Sequence, residues 1–210
     1  MIQQLVRLFK DNEAVSKVQR RLPYLFQMAE LESSRAGKIG MQVGSLRETI
    51  ISSFLVYRFG EKNVETDIPI TEAEVDVKLY GNPVSIKTIS GKEPKGVKLV
   101  WTVDPVKVRE FMSVYKPSCD MILVHINWEG SGGLYYIPVE TQKDVFDKVG
   151  REGYIKLPKP GTNPRGAELT NEALAALIEN KDTKAIIVRW HKSTIKYSPY
   201  TRWVDLWRED

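Results

Sequence analysis

The residues of this chain best placed to do chemistry are acids and lysines that face one another across a short hairpin. They lie in Glu74-Val-Asp-Val-Lys-Leu-Tyr80, Gly81-Asn82 and Pro83-Val-Ser-Ile-Lys-Thr-Ile89. Gly-Asn between two alternating runs predicts a two-residue loop. That loop sets Leu79 opposite Val84, Lys78 opposite Ser85, Val77 opposite Ile86 and Asp76 opposite Lys87. The two-residue period of a strand then puts Val75, Val77, Leu79, Val84 and Ile86 on an apolar, core-facing side. Glu74, Asp76, Lys78, Ser85 and Lys87 take the other side. A carboxylate is an oxygen ligand for a hard divalent cation, and a neighbouring lysine can orient water or offset developing negative charge. Opposed side chains have Cβ atoms about 5 Å apart, so rigid strands would hold such a pair ready. The same pair is also compatible with an ordinary cross-strand ion pair on a solvated face, worth a few tenths of a kcal/mol.

An acid on a strand, a hairpin, a second strand ending in x-x-Lys, and a preceding helix that carries Glu48 resemble the PD-(D/E)xK nuclease superfamily, and within it the type II restriction endonucleases. The resemblance runs over residues 45–126 as helix, strand, hairpin, strand, helix, strand. It implies a restriction-endonuclease-like α/β fold with a central mixed β-sheet flanked by helices. It also implies Mg²⁺-dependent hydrolysis of phosphodiester bonds in both strands of a short palindromic duplex site. Residue by residue, Asp76 takes the place of the metal-binding aspartate, Lys87 that of the lysine, and Glu48 that of the acid many members supply from the preceding helix. The metal ligands would then be Glu48, Asp76 and the main-chain carbonyl of Ile86. Ser85 departs from the pattern, which calls for Asp or Glu there. A hydroxyl cannot replace an anionic ligand, so the second carboxylate falls to Glu48.

Two other readings compete for these residues. Ser45-Leu-Arg-Glu48 has the form of a capping box, which would occupy Glu48 with a backbone N–H. Asp67 with Asp76-Val77-Lys78 fits the written motif better, but Pro69 should end the strand beside Asp67 and leave its register undefined. Glu93-Pro94-Lys95 matches only as text, in a Gly/Pro loop. Asp76 with Lys87 is preferred.

Double-stranded DNA is the partner that the resemblance implies, with a homodimer providing one active site per strand of a two-fold site. Lys92, Lys95 and Lys98 follow the active strand and are candidates to track phosphates, as is Arg165, with Lys159, in a Pro/Gly loop. Before Glu48, Gly37, Gly40 and Gly44 alternate with Ile39, Met41 and Val43. If that helix starts at the scissile phosphate, Lys38, Met41 and Gln42 lie beside the duplex, and Met41 is a candidate wedge at a base step. Two alternatives stay open: a non-catalytic DNA-binding domain that lost a carboxylate at Ser85, and a structure-specific nuclease of the junction-resolvase kind.

The elements that must position these groups are legible from periodicity and punctuation. Residues 1–36 form a helical N-terminal segment, with Pro23 expected in the first turn of a further helix. A helix opens at Ser45 and stops at Gly60. Strands are expected over Val64–Ile68, Glu74–Tyr80, Val84–Ile89, Val97–Val103, Cys119–Ile126, Leu134–Val139 and Ala185–Trp190. Helices are expected from Asp104-Pro105 to Tyr115 and over 142–149, 171–180 and Pro199–Arg208, with an exposed loop from Leu157 to Gly166. Together they read as one domain over residues 1–210, with the N-terminal helices, the 45–126 core and a C-terminal part over 127–210.

Composition narrows the function classes. With 210 residues, 42% hydrophobic and 28% charged, the chain can bury a real core. One Cys and two His exclude a four-ligand zinc site and a disulfide scaffold. The longest apolar runs, Met121–Val124 and Ile186–Val188, are of strand length, and the N-terminus lacks a continuous apolar region. A cytoplasmic protein is expected. The net charge of +4 leans only slightly toward an acidic partner. His125 and Cys119 read as buried strand residues and His191 as a strand-end residue, while Tyr197, Tyr200, Trp203 and Trp207 fit either a core or a dimer contact.

Overall fold

The computed structural model describes residues 2–35, 38–39, 42–69, 72, 74–100, 104–157 and 166–209. Helices α1 (Gln3–Leu8) and α2 (Asn12–Glu32) open the chain. Asp11 caps α2 by accepting from the N–H groups of Glu13 and Ala14. Contrary to expectation, Pro23 starts no new helix and lies inside α2. The stripe of Val18, Leu22 and Phe26 is buried in one continuous core, and that packing outweighs the roughly 3 kcal/mol an interior proline costs. A two-residue pairing of β1 (Ser34–Arg35) with β2 (Lys38–Ile39) leads into α3 (Val43–Phe59), which stops at Gly60 in a positive-φ conformation.

Strands β3 (Val64–Glu65), β4 (Val77–Leu79) and β5 (Asn82–Ser90) come next, then β6 (Lys98–Val100) and α4 (Pro105–Val114). The chain continues through β7 (Asp120–Ile126), β8 (Ser131–Ile137) and α5 (Val139–Tyr154), the last broken at Gly150. It ends with β9 (Ile155–Lys156), β10 (Ala167–Leu169), α6 (Asn171–Ile178), β11 (Lys184–Arg189) and α7 (Thr201–Leu206). The central sheet has the order β11-β8-β7-β5-β4-β3. Only β5 and β7 are parallel, from Val84 opposite Asp120 to Ser90 opposite Ile126. The expected mixed α/β sheet flanked by helices is therefore present, mostly antiparallel. Strand β6 lies outside this sheet and pairs with β10 in a small sheet with β9. The strands expected at Val64–Ile68 and Glu74–Tyr80 shorten to β3 and β4.

Both faces of the central sheet are covered. Val77, Leu79, Val84 and Ile86 pack with residues of α1, α2 and α3 in one core, while Ile89, Met121 and Leu123 join residues of α4, α5 and α6 in another. Strand β7 is buried along its whole length, which accounts for its unbroken apolar run.

A buried polar cluster fixes α3 against this frame. Arg47, 7% exposed, donates to Glu30 Oε1 at 2.6 Å and to Ser90 Oγ at 3.1 Å. Glu30, 5% exposed, also accepts from Trp128 Nε1 at 2.8 Å and lies 3.1 Å from Lys192 Nζ. The cluster thereby ties α2, α3, the end of β5 and the β7–β8 turn together. Removing Glu30 leaves Arg47 buried without a counter-ion, and removing Arg47 leaves the buried Glu30 with only the half-exposed Lys192. Glu30→Leu and Arg47→Leu are each expected to cost about 3–5 kcal/mol in urea unfolding, and the double variant clearly less than the sum.

Candidate active site

The hairpin turns one residue earlier than its sequence suggests. Tyr80 (φ 49) and Gly81 (φ 75) are both left-handed, as a type I′ turn requires, so Leu79 pairs with Asn82 and Val77 with Val84. The Tyr80 N–H donates to the Asn63 carbonyl at 2.8 Å, and its ring meets Phe59 edge-on, contacts that hold a non-glycine residue in this conformation. The Asn82 side chain donates to the carbonyls of Leu79 and Tyr80. Relative to the expected register, the strands are displaced by two residues. The paired register ends at Val77 with Val84, and beyond it the Asp76 side chain lies beside Ser85 and Lys87. A two-residue shift leaves every side chain on its original face, so the acid and the lysine still meet.

Strand β4 reaches no further than Val77, and Asp76 adds one more main-chain bond to β5 at the residue opposite Val77. Its N–H donates to the Val84 carbonyl at 3.0 Å. Its Oδ2 accepts from the Ile86 N–H at 2.5 Å and from Ser85 Oγ at 3.3 Å, and lies 3.5 Å from Lys87 Nζ. All three partners fall on Oδ2, while Oδ1 accepts no hydrogen bond among the described residues. N–H and C=O of one residue leave a strand on the same side, so the Ile86 carbonyl is directed to this same edge, beyond the end of β4.

Glu48 reaches the edge from α3. Because that helix begins at Val43 with Gln42 before it, Ser45 is no cap residue and Glu48 stands well inside the helix. The capping-box reading fails on this geometry. Arg47, Ile51 and Leu55 turn into the core, while Glu48, Ser52 and Val56 line a cleft of about 580 Å³ with Thr66 and Asp76. A second cleft, of about 460 Å³, runs from Glu48 past Lys87 and Thr88 to Lys98. Glu48 is shared by both. Burial, and after it the negative charge of Asp76, push the Glu48 carboxyl up to about 6, with Lys87 opposing. Glu48 makes no hydrogen bond or ion pair among the described residues.

These donors fit a hard divalent cation. They are all oxygen, and two carboxylates raise each other's energy in a partly desolvated corner. Among the described residues no cluster of three or more His, Cys, Asp or Glu side chains is arranged around a metal position. The protein thus offers two carboxylates and a main-chain carbonyl, a set suited to an ion such as Mg²⁺ that keeps several waters.

Glu74 was placed on the polar face from the strand period, but not in the site. It lines a small cavity with Ser85, Lys87 and Ser118, and Ser118 Oγ donates to it at 2.5 Å. Burial raises its pKa, while the Ser118 hydrogen bond and the Lys87 charge work the other way. The face alternation gave the signal, but its partner Ser118 comes from a distant segment. The rival assignment does not assemble: Asp67 is exposed outside any strand, and Lys78 pairs with Glu72 at 2.8 Å.

The expected DNA-contacting residues divide. Lys92 is exposed on the loop after β5, Lys95 pairs with Glu93 at 3.9 Å, and Lys98 pairs with Glu168. Gln42 is exposed immediately before α3, and Lys38 lies in β2. Met41, Lys159 and Arg165 lie outside the described residues. His125 donates through Nε2–H to the Gly91 carbonyl at 2.9 Å, a structural contact, and His191 is exposed. Cys119 is buried, and burial pushes its thiol up to about 11.

The family profile described as "Restriction endonuclease ThaI" matches residues 8–209. A solved structure described as "Restriction endonuclease in complex with substrate DNA" is 61% identical, with a TM-score of 0.92 over 99% of this chain and 100% of that one. No curated protein matches the chain.

The raised Glu48 pKa has a stability consequence in the metal-free protein. The folded state holds this proton more tightly than the unfolded chain between pH 4.5 and about 6, so stability contributed by Glu48 is lost as pH rises through that window. Glu48→Gln lacks the titration. In urea unfolding with EDTA, its stability relative to the parent is expected to improve from pH 4.5 to pH 7.5, by on the order of 1 kcal/mol after solvent screening.

Proposed function

Because the chain belongs to the restriction endonuclease ThaI family, a family of site-specific endodeoxyribonucleases, we propose that Glu48, Asp76 and Lys87 are its catalytic residues and that Mg²⁺ is its metal. The observation that carries this reading is the Asp76 carboxylate, fixed by the Ile86 N–H and Lys87 at the junction of two clefts that share Glu48. The 61%-identical relative is described with substrate DNA, which supports duplex DNA as the molecule these clefts accept.

Glu48, Asp76 and the Ile86 carbonyl would hold the ion. When bound there, Mg²⁺ supplies neutralising charge at the scissile phosphate and acidifies a coordinated water. Lys87 orients the attacking water and offsets the negative charge that builds as its oxygen bonds to phosphorus and the ester P–O bond breaks. Asp76 fixes the Lys87 ammonium as well as the ion, so its loss disturbs both. Ser85 contributes no ligand. Its hydroxyl donates to Asp76 and helps lock the carboxylate, so the missing motif acid is no obstacle to catalysis.

The substrate is a short palindromic duplex site, cut in both strands by a homodimer with one active site per strand. Lys92 and Lys95 track phosphates beside the cleft, and Arg165 adds a contact from its loop. In the segment before α3, Lys38 and Gln42 flank the duplex and Met41 enters a base step. Family membership weighs against both the non-catalytic and the junction-resolvase readings.

Digestion of a long linear duplex tests the assignment. Discrete fragments with Mg²⁺ and none with EDTA are expected, and Glu48→Gln, Asp76→Asn and Lys87→Met are each expected to lower cleavage at least 1,000-fold while remaining folded by circular dichroism. Cleavage retained by all three variants would refute it. For Met41→Ala, binding to the cognate duplex should weaken about 10-fold or more with the melting temperature unchanged; unchanged affinity would remove Met41 from the interface.

A further inference from the structure

The chain carries an apolar groove and, separately, an apolar arm of matching chemistry. The groove, of about 660 Å³, lies over Leu134 between α2 and α3, with Leu22, Leu25, Ile50 and Phe54 among its walls. Its rim is basic, with Lys17, Arg20 and Arg21 along α2. Neither arginine forms an ion pair among the described residues. Thr49, Ser53 and Tyr57 line both this groove and the cleft that holds Glu48 and Asp76, so whatever fills the groove borders the active site.

The arm begins where β11 ends. Ser193 exchanges hydrogen bonds with the Gln27 side chain at 2.7 and 2.9 Å, and Lys192 pairs with Glu30. Beyond that anchor, no hydrogen bond or ion pair joins residues 194–209 to the rest of the protein among the described residues. The arm nevertheless ends in a helix that exposes large apolar side chains, with Tyr200 72%, Trp203 54% and Trp207 88% exposed and Val204 and Leu206 also exposed. Aromatic residues at such exposure on an unpacked arm call for a partner. Of the two readings left open for these residues, the core is excluded for Tyr200, Trp203 and Trp207.

We propose that α7 of each chain seats in the α2–α3 groove of a second copy, so that two reciprocal arm–groove contacts form the dimer. This inference rests on the homodimer reading given above. A two-fold pair makes the same contact twice, and one chain supplies both halves. The exposed side chains of one arm offer roughly 600 Å². Two arms with the groove walls they cover bury roughly 2,000 Å², above the approximately 1,200 Å² at which stable interfaces begin. Charge agrees at one point: Glu209 forms no ion pair among the described residues and can meet Arg20 or Arg21, while Asp205 keeps Arg208 at 3.4 Å within the arm. Each active cleft is then walled in part by the partner, which links cleavage to dimerisation.

Sedimentation velocity of the full chain over a range of concentrations, with and without Trp203→Ala/Trp207→Ala, tests this. The expected result is a dimer for the parent and a rise of at least ~100-fold in the dimer dissociation constant for the double variant, with the monomer still folded. Charge reversal at Arg20→Glu/Arg21→Glu should weaken the dimer, and Glu209→Lys should restore it in part. Oxidation of an Arg21→Cys/Trp207→Cys variant should give a covalent dimer on a non-reducing gel. A parent dimer that the Trp replacements leave intact would overturn the arm contact alone, as would a cross-link found only within one chain. Loss of DNA affinity with no change in the dimer would assign the arm to DNA and overturn the proposal. A parent that stays monomeric with and without DNA would overturn the homodimer reading and the arm contact with it.

Discussion

A backbone N–H in the middle of a sheet must find an acceptor, and at Ile86 the neighbouring strand has already ended. The Asp76 carboxylate fills that vacancy at 2.5 Å. Satisfying the sheet in this way fixes one carboxylate oxygen and leaves the other to the cleft. It also leaves the Ile86 carbonyl at the same edge with no strand opposite. Most of the sheet is sealed between two apolar cores, so polar chemistry can occur only where the ladder is interrupted. The early end of β4 is thus what opens the candidate site. The parallel partner on the other side, β7, is fully buried and holds β5 rigid along seven paired residues.

The second carboxylate depends on a different constraint. Glu48 follows Arg47 in sequence, and Arg47 is committed to a buried cluster with Glu30 and Ser90. A buried ion pair contributes little net stability against an apolar substitute, but it strongly resists losing one partner. It therefore acts as a register pin: α3 can neither rotate nor slide without leaving the buried Arg47 uncompensated. With Arg47 turned inward, Glu48 is carried round the helix to the cleft. The same Glu30 anchors Lys192 at the root of the C-terminal arm, so the pin and the arm share one residue.

Much of this was legible in the sequence, for identifiable reasons. The alternation of Val77 and Leu79 with Val84 and Ile86 assigned faces correctly, because face assignment survives any even shift of register; Val75 lies outside the strand and joins neither core. The register itself was not legible. Gly81-Asn82 is a good turn signal, but Tyr80-Gly81 forms the turn because contacts from Asn63 and Phe59, on another segment, support a left-handed tyrosine. Glu48 looked like a capping residue because the start of α3 at Val43 depends on how the chain enters from β2. Pro23 looked like a helix start because local propensity cannot see the core that holds α2 together. Glu74 lay on the predicted face, but its neighbour Ser118 is more than forty residues away in the chain.

The central claim is that Glu48, Asp76 and the Ile86 carbonyl jointly hold the metal. Its most direct test is an anomalous difference map from crystals of the protein with duplex DNA and Mn²⁺. The account predicts a peak with these three groups at about 2.1 Å and Lys87 beside it without ligating. A peak bound through Glu74, or one that lacks Glu48, would contradict it.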